Sequence, residues 1–501
     1  MRVALVNNLY VEQLGYFYIA AALKQAGHDV EFFLTSRNLE RELRAYQPQL
    51  LGMTAVTGNH LWAANTAAEI RSFLPSVKTI LGGPHPTYHP RVIRHPGLDF
   101  ICRGEGERPI VALCDRLERG EDTTTIPGIT AKQGDTVHEN GFAPLVEDLD
   151  QIPFPDRSLY QKFSLLAMRN HYPFMLSSRG CPFQCTFCYA PTLAQLTRDA
   201  GKFVRFRSVD NVVAEAIELK RAFAPHTIEF VDDIFGMKRS WLHEFAERWA
   251  KDVGIPFQCN LRADLVDEES IEPLVRAGCQ MVAFGVESGS PRVRNQVLKK
   301  GVTNEEIERA ARLLKAHGMR VVTYNIVGAP TETWEETLET LHLNQRIRPD
   351  YTQVSIMQPY PGTEVHEIAV KAHQLDASEE TFDAIEPFNY GTTPLDLPHA
   401  REVANLQKLF YLAVVFPRLE RFVLWLSRRP ENALFYAVFL LVHVCGYHYR
   451  VKRVPTLFLF RLMLNVKEIW RRHESGLYRR RLHERTDAPR LKERIESGAV
   501  L

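Results

Sequence analysis

Short runs of consecutive apolar residues alternate along this chain with longer stretches in which apolar positions recur every three or four residues. Runs of the first kind read as strands buried on both faces, and stretches of the second kind as helices packed on one face. In the first part of the sequence the strands are Arg2–Asn7, His28–Phe33, Leu50–Val56, Val77–Leu81 and Phe100–Arg103; helices are expected at Leu14–Gly27, Asn59–Phe73 and up to Leu117. This alternation predicts a parallel sheet covered by helices on both faces, a Rossmann-like doubly wound α/β domain over residues 1–145. Ligands of such sheets lie beyond the carboxyl ends of the strands.

The pattern breaks after that domain. Two prolines and three aspartates between Asp148 and Asp156 predict an extended connector within a linker of residues 146–172. Strand runs then return at Phe174–Ser178, Thr227–Phe230, Phe257–Asn260, Met281–Gly285, Val321–Ile326 and Gln353–Met357. Helical patterns separate them at Val209–Phe223, Arg239–Val253, Glu268–Ala277, Asn304–His317 and Trp334–Gln345. Six strand–helix units over residues 173–390 predict a partial (β/α)6 barrel of the TIM type, whose chemistry collects at the carboxyl ends of its strands.

Residues 391–501 read as a mainly helical region. Leu406–Leu426 and Ala433–Tyr449 are strongly apolar, yet the second falls short of the ~20 residues that span a bilayer. From Arg418 to Glu496 there are 18 basic and eight acidic residues. This combination fits a peripheral contact with anionic lipid, a cap over a lipophilic substrate, or the core of a helical bundle.

Composition narrows the class. A chain of 501 residues with 45% hydrophobic and 24% charged residues is a folded protein of several domains. Sixty-one basic residues against 60 acidic ones give no overall attraction to nucleic acid. Eight cysteines are too few for a disulfide scaffold, and the amino terminus runs directly into a strand without a signal-peptide pattern. A cytoplasmic, reducing location is expected, with the membrane contact just described peripheral to it.

Three of the eight cysteines lie within eight residues, in Arg179-Gly180-Cys181-Pro182-Phe183-Gln184-Cys185-Thr186-Phe187-Cys188-Tyr189. Three thiolates at C-x3-C-x2-C spacing can hold three irons of a [4Fe–4S] cluster and leave the fourth open, whereas structural zinc needs four ligands. Polar groups follow the later strands: Asp232 and Asp233, Arg262, Glu287 and Ser288, then Asn325 and Gly328. In the first domain the loops after strands carry Gly82-Gly83-Pro84-His85 and Gly104-Glu105-Gly106.

The cysteine run, with Phe187 before its last cysteine, resembles the signature of the radical S-adenosylmethionine (SAM) superfamily. The order Gln13-Leu14-Gly15-Tyr16, Gly82-Gly83-Pro84-His85, Arg103-Gly104-Glu105-Gly106-Glu107 and Asp148–Pro155 resembles the cobalamin-binding domain of B12-dependent radical SAM proteins. The similarity looks nearest to the anaerobic cyclase-like and class B methylase-like members. The D-x-H-x-x-G motif of methionine-synthase-type cobalamin domains does not occur here.

This resemblance implies a cluster on Cys181, Cys185 and Cys188. It implies SAM contacts from Phe187, against adenine, and from Asp232, Asp233, Arg262, Glu287, Ser288, Asn325 and Gly328. Cobalamin is expected without a lower histidine ligand, along Gly82 and Gly83 and near Gly104, Glu105 and Gly106, with His85 the nearest imidazole. The implied reaction is reductive cleavage of SAM to a 5′-deoxyadenosyl radical that takes hydrogen from an unactivated carbon of a small, lipophilic substrate. C-methylation or oxidative cyclisation then follows, with electrons from a flavodoxin or ferredoxin. The resemblance assigns no catalytic side chain. Two other readings remain at this point: a methylthiotransferase-like enzyme that uses no cobalamin, and a corrinoid or iron–sulfur sensor without catalysis.

Overall fold

The computed structural model describes residues 1–8, 13–163, 171–376, 385, 393–443 and 446–447. Strands β1 (Arg2–Asn7), β2 (Asp29–Leu34), β3 (Leu50–Thr54), β4 (Lys78–Gly82) and β5 (Phe100–Cys102) form a parallel sheet in the order β2-β1-β3-β4-β5. Alternation along β1 shows why both faces must be covered. Val3 and Leu5 pack with Tyr16 and Phe17 of α1 (Leu14–Gln25) and Leu113 of α5 (Glu107–Arg119). Ala4 and Val6 pack with Trp62 and Ala63 of α3 (His60–Phe73) on the other face. The expected doubly wound architecture is therefore present.

Three elements were not expected. An amphipathic helix α2 (Leu39–Tyr46) fills the crossover from β2 to β3, and a short helix α4 (Pro84–Tyr88) follows Gly83. A hairpin of β6 (Ile129–Gln133) and β7 (Thr136–Glu139), turning at Gly134-Asp135, adds two antiparallel strands to the β5 edge.

The linker is not an extended connector. Two single turns, Leu149–Gln151 and Arg157–Tyr160, fold it back over the first domain. Tyr160 is fully buried there, its ring 4.5 Å from that of Phe17. Arg157 reaches the other way, to Glu215 at 2.9 Å. Apolar residues between and just after the aspartates (Leu149, Ile152, Leu159) decide this outcome, because each is buried. The part of the linker at 164–170 lies outside the described residues.

The second sheet holds six parallel strands in sequence order: β8 (Phe174–Met175), β11 (Ile228–Phe230), β12 (Phe257–Leu261), β13 (Cys279–Glu287), β14 (Arg320–Val327) and β15 (Tyr351–Ile356). Helices α7 (Val209–Phe223), α8 (Arg239–Arg248), α9 (Glu268–Arg276), α10 (Asn304–Ala316) and α11 (Trp334–Ile347) alternate with them. This is the expected partial barrel. The strand expected at Phe174–Ser178 is split, since Ser178–Arg179 (β9) leaves the barrel to pair antiparallel with Arg205–Phe206 (β10). Helix α6 (Tyr189–Leu196) follows the cysteines, and α12 (Glu364–Lys371) follows β15.

Beyond the barrel, α13 (Ala400–Val415) packs on β15 and α11 and carries α14 (Glu420–Ser427) and α15 (Ala433–His443). The apolar stretch expected at Leu406–Leu426 is thus two helices, broken by a turn at Pro417–Leu419. The end of the stretch at Ala433–Tyr449 and the basic tail lie outside the described residues.

Candidate functional site

The cysteine loop is held from both ends. Before it, the buried Asp232 accepts hydrogen bonds from the Ser177 amide (3.0 Å), the Ser177 hydroxyl (2.8 Å) and the Ser178 hydroxyl (2.5 Å). Inside it, the Thr186 amide donates to Leu298 O at 3.1 Å and the Thr186 hydroxyl to Val297 O at 2.8 Å. Gly180 is required at the entry. Its φ is +88°, and a Cβ there would lie 2.5 Å from the Phe203 carbonyl oxygen.

The three thiols are free and differ in setting. Cys188 caps the amino terminus of α6 and accepts the Ala190 N–H at 3.4 Å, a position that favours a thiolate. Cys185 is buried; burial raises its pKa, while the charges of Lys300 and Arg262 lower it. Burial pushes Cys188 up to about 11, so thiolate formation there would accompany metal binding. Among the described residues no three His, Cys, Asp or Glu side chains converge as a single ion would need. Three thiols on one loop, with the cations Lys300 and Arg262 beside Cys185, are a donor set whose chemistry suits an iron–sulfur cluster.

The barrel ends separate the expected SAM contacts into two groups. Asp233 follows β11, is open to the central cavity, and feels Cys181 and Cys188; burial raises its carboxyl pKa. Phe187 and Ile326 are both partly buried against one apolar cluster. The other residues are engaged elsewhere. Asp232 is spent on Ser177 and Ser178, burial raising its pKa to about 6 against those hydrogen bonds. Arg262 is bidentate to Asp264 (2.9 and 3.1 Å) and lies 3.7 Å over the Phe183 ring. Its remaining role is as a cation beside Cys185.

Glu287, in a left-handed conformation (φ +60°) at a register shift between β13 and β14, pairs with Lys300 at 2.8 Å. Ser288 is fully buried against Thr340. Asn325 is held in a network with Thr323, Gln353 and Asn344. Gly328 is backed by Leu397. Asp232, Ser288, Asn325 and Gly328 are thus buried, each engaged with or backed by neighbours of the protein itself. Nothing in their local sequence distinguishes a carboxylate aimed at the cavity from one turned toward its own backbone.

The loops of the first domain meet this site across one cavity of about 600 Å³. Gly82, Gly83, Gly104 and Gly106 line it from the carboxyl ends of β4 and β5; Gly180, Cys188, Tyr189, Val231 and Asp233 line it from the second sheet. The cavity also runs between the first sheet and helices α1 and α5, along Leu5, Gly52, Gly15 and Ile19. Gly83 cannot carry a side chain, because its φ is +94° and a Cβ would collide with Thr54 Oγ1. A largely apolar slot edged by glycines fits a large flat cofactor with a trailing ring.

His85 does not face this slot. Its ring stacks on His60 at 3.7 Å and its Nδ1 lies 3.1 Å from Thr57 Oγ1. Burial, then the neighbouring His60 and His89, lowers its pKa to about 2, so it stays neutral. The expected cofactor contact from His85 is corrected: α4 turns the imidazole into the domain interior.

Glu105 lines the cavity, yet its carboxylate joins the two domains. It meets Arg179 at 3.0 Å and Arg205 at 2.7 Å, and Arg179 also pairs with Glu107 at 2.5 Å. Burial alone would raise the Glu105 pKa; hydrogen bonds from Arg205 and Arg179 and their charges outweigh it and hold the group at about 2. Arg179 directly precedes Gly180 and Cys181, so this clamp ties the cobalamin-type loop to the cysteine loop. Tyr88 and Tyr189 stack across the same boundary, centroids 3.9 Å apart and planes at 12°. Arg179, Arg205, Tyr88, Tyr189 and Lys300 were not singled out as site residues in the sequence, because their partners lie far along the chain.

Comparison with known proteins agrees with this arrangement. Residues 3–114 match the B12 binding domain family and residues 175–343 the Radical SAM superfamily. An uncharacterized methyltransferase of Pyrococcus horikoshii is 30% identical over 367 residues, covering 71% of this chain and 78% of the relative. The anaerobic magnesium-protoporphyrin IX monomethyl ester cyclase of Rubrivivax gelatinosus is 29% identical, covering 78% and 70% respectively.

Among solved structures, the cobalamin-dependent SAM radical enzyme OxsB superposes with TM-score 0.67 at 17% identity, covering 100% of this chain and 81% of that one. The radical SAM methyltransferase TsrM of Kitasatospora setae gives 0.63 at 20% identity, covering 78% and 80%. These two share the fold. The protein is a radical SAM enzyme with an amino-terminal B12-binding domain. It belongs to the cobalamin-dependent radical SAM family that contains methylases and the anaerobic cyclases. The cobalamin-free and sensor readings are set aside with this assignment.

Proposed function

We propose that this enzyme carries out C-methylation or oxidative cyclisation at an unactivated carbon of a lipophilic small molecule, in the cavity between its two sheets. The observation that carries the reading is that one cavity is lined jointly by Gly82, Gly83, Gly104 and Gly106 of the B12-binding domain and by Cys188 and Asp233 of the barrel. When bound, the [4Fe–4S] cluster and SAM supply a 5′-deoxyadenosyl radical and cobalamin supplies a transferable methyl group or a second redox centre.

The chain's own residues arrange those partners. Cys181, Cys185 and Cys188 hold three irons, with Lys300 and Arg262 offsetting the negative charge at Cys185. Asp233 takes the amino group of SAM, and Phe187 with Ile326 flanks its adenine. The glycine-edged slot receives the corrinoid, with His85 turned away from it. The apolar lining around Leu176, Leu193 and Phe203 excludes water that would quench a radical. Lipophilicity of the substrate is supported by that lining and by a relative named for a porphyrin ester. A flavodoxin or ferredoxin in the cytoplasm is the expected electron donor.

Anaerobically reconstituted protein, supplied with hydroxocobalamin and SAM under reduction, tests this. Iron–sulfur absorbance, corrinoid absorbance and 5′-deoxyadenosine release are all expected. Cys185→Ala abolishes the release; survival of release in that variant removes the cluster from this loop. Protein that remains corrinoid-free in excess hydroxocobalamin removes cobalamin from the reaction.

A further inference from the structure

Of the twelve large apolar side chains exposed among the described residues, nine lie between Val415 and Leu441. A concentration of this kind on one region marks a contact surface, whereas scattered exposed residues are ordinary. Leu419, Phe422 and Trp425 recur every third residue over the turn at Pro417–Leu419 and α14, and the rings of Phe422 and Trp425 stack at 5.8 Å. The opposite flank of α14 is committed to α13, where Val423 and Ser427 are fully buried. Leu434, Leu440 and Leu441 are exposed on α15, the next helix in the chain.

Charge on this face is one-sided. Arg418, Arg421, Arg428 and Arg429 are all exposed. Arg429 lies 4.2 Å over the Trp425 ring, and the other three make no ion pair among the described residues. Both acids of the segment are engaged: Glu420 with His342 at 3.1 Å and Gln345 at 2.9 Å, and Glu431 with Lys408 at 3.4 Å.

We propose that Phe416, Leu419, Phe422 and Trp425, rimmed by Arg418 and Arg421, dock this enzyme on the surface of an anionic lipid bilayer. The charge selects this occupant. Residues 448–501 carry fourteen basic against six acidic side chains, so laying that segment on the face would bring like charges together. A second copy applied face to face would do the same. An anionic bilayer matches the arginines electrostatically and accepts the aromatic and aliphatic side chains at headgroup depth. No helix among the described residues is long and apolar enough to cross a membrane, so the seat is peripheral. This surface shares no residue with the cofactor cavity, and the inference does not rest on the proposed reaction.

The full-length protein is floated with vesicles of phosphatidylcholine alone and of phosphatidylcholine with phosphatidylglycerol. It rises with the anionic vesicles only, and high salt weakens the association. Arg418→Gln with Arg421→Gln lowers anionic binding by about fivefold per residue. Phe422→Ser with Trp425→Ser lowers it at every salt concentration. Both double variants keep 5′-deoxyadenosine release and corrinoid absorbance, which separates this test from that of the reaction. Failure to float with anionic vesicles, or floating unchanged in both double variants, overturns the proposal. Self-association lost in Phe422→Ser with Trp425→Ser, without vesicle binding, gives the face to a second copy and overturns it as well.

Discussion

Two neighbouring aspartates, Asp232 and Asp233, have opposite settings because of where each side chain turns. Asp232 closes the backbone of Ser177 and Ser178; Asp233 is open to the cavity. Asp233→Asn is expected to weaken SAM binding about 10- to 100-fold, the loss of one charge-assisted hydrogen bond, with iron content unchanged. Asp232→Asn is expected to lower iron content and thermal stability and to leave the SAM affinity of the loaded fraction intact. Titration of SAM into the anaerobic holoenzyme, alongside iron analysis, distinguishes the two. The sequence displayed both carboxylates at a strand end but not their directions. That choice depends on Ser177 and Ser178, more than fifty residues earlier.

At the scale of elements, the cysteine loop exists because a left-handed glycine lets the chain turn away from β9 beside Phe203. Gly180→Ala is expected to strip most of the iron and sulfide from the reconstituted protein. Gly254→Ala is the control: its φ is +65° but nothing lies within 4 Å of a new Cβ. That change costs about 1 kcal/mol of backbone strain and leaves iron content unaltered. Strand and helix positions were legible in the sequence wherever apolar periodicity was long, as along β1, α3, α10 and β14. Shorter elements escaped, because α2 offers little apolar surface and the β6–β7 hairpin is marked only by Gly134-Asp135. The linker departs from its local signal for a related reason: its prolines and aspartates favour extension, while Leu149, Leu159 and Tyr160 anchor it to the first domain.

For the whole molecule, the decisive feature is that two sheets present their carboxyl ends to one cavity and are clamped there by Glu105, Glu107, Arg179 and Arg205. Glu105→Gln is expected to destabilise the domain boundary by on the order of 3 kcal/mol, since it leaves the buried Arg205 without a carboxylate partner and Arg179 with Glu107 alone. Hydrogen exchange at residues 103–107 and 178–181 reports the change. The acid dependence follows from the depressed pKa. Glu105 is held at about 2 in the fold against a usual value of 4.5, so its contribution is complete above about pH 4.5 and is lost as pH falls through about 2. Protection factors at those segments, taken relative to the intrinsic exchange rate at each pH, fall over that interval in the unsubstituted protein and change less in Glu105→Gln. Local sequence was enough to determine the cysteine spacing, the two α/β domains and the glycine loops after their strands, because periodicity and motif spacing are properties of neighbouring residues. Only tertiary structure decided that His85 turns inward, that Glu105 serves the domain boundary, and that Arg179 joins the cysteine loop to the other domain. Those outcomes depend on partners brought together by packing, and a linear order of residues does not contain the distances that select them.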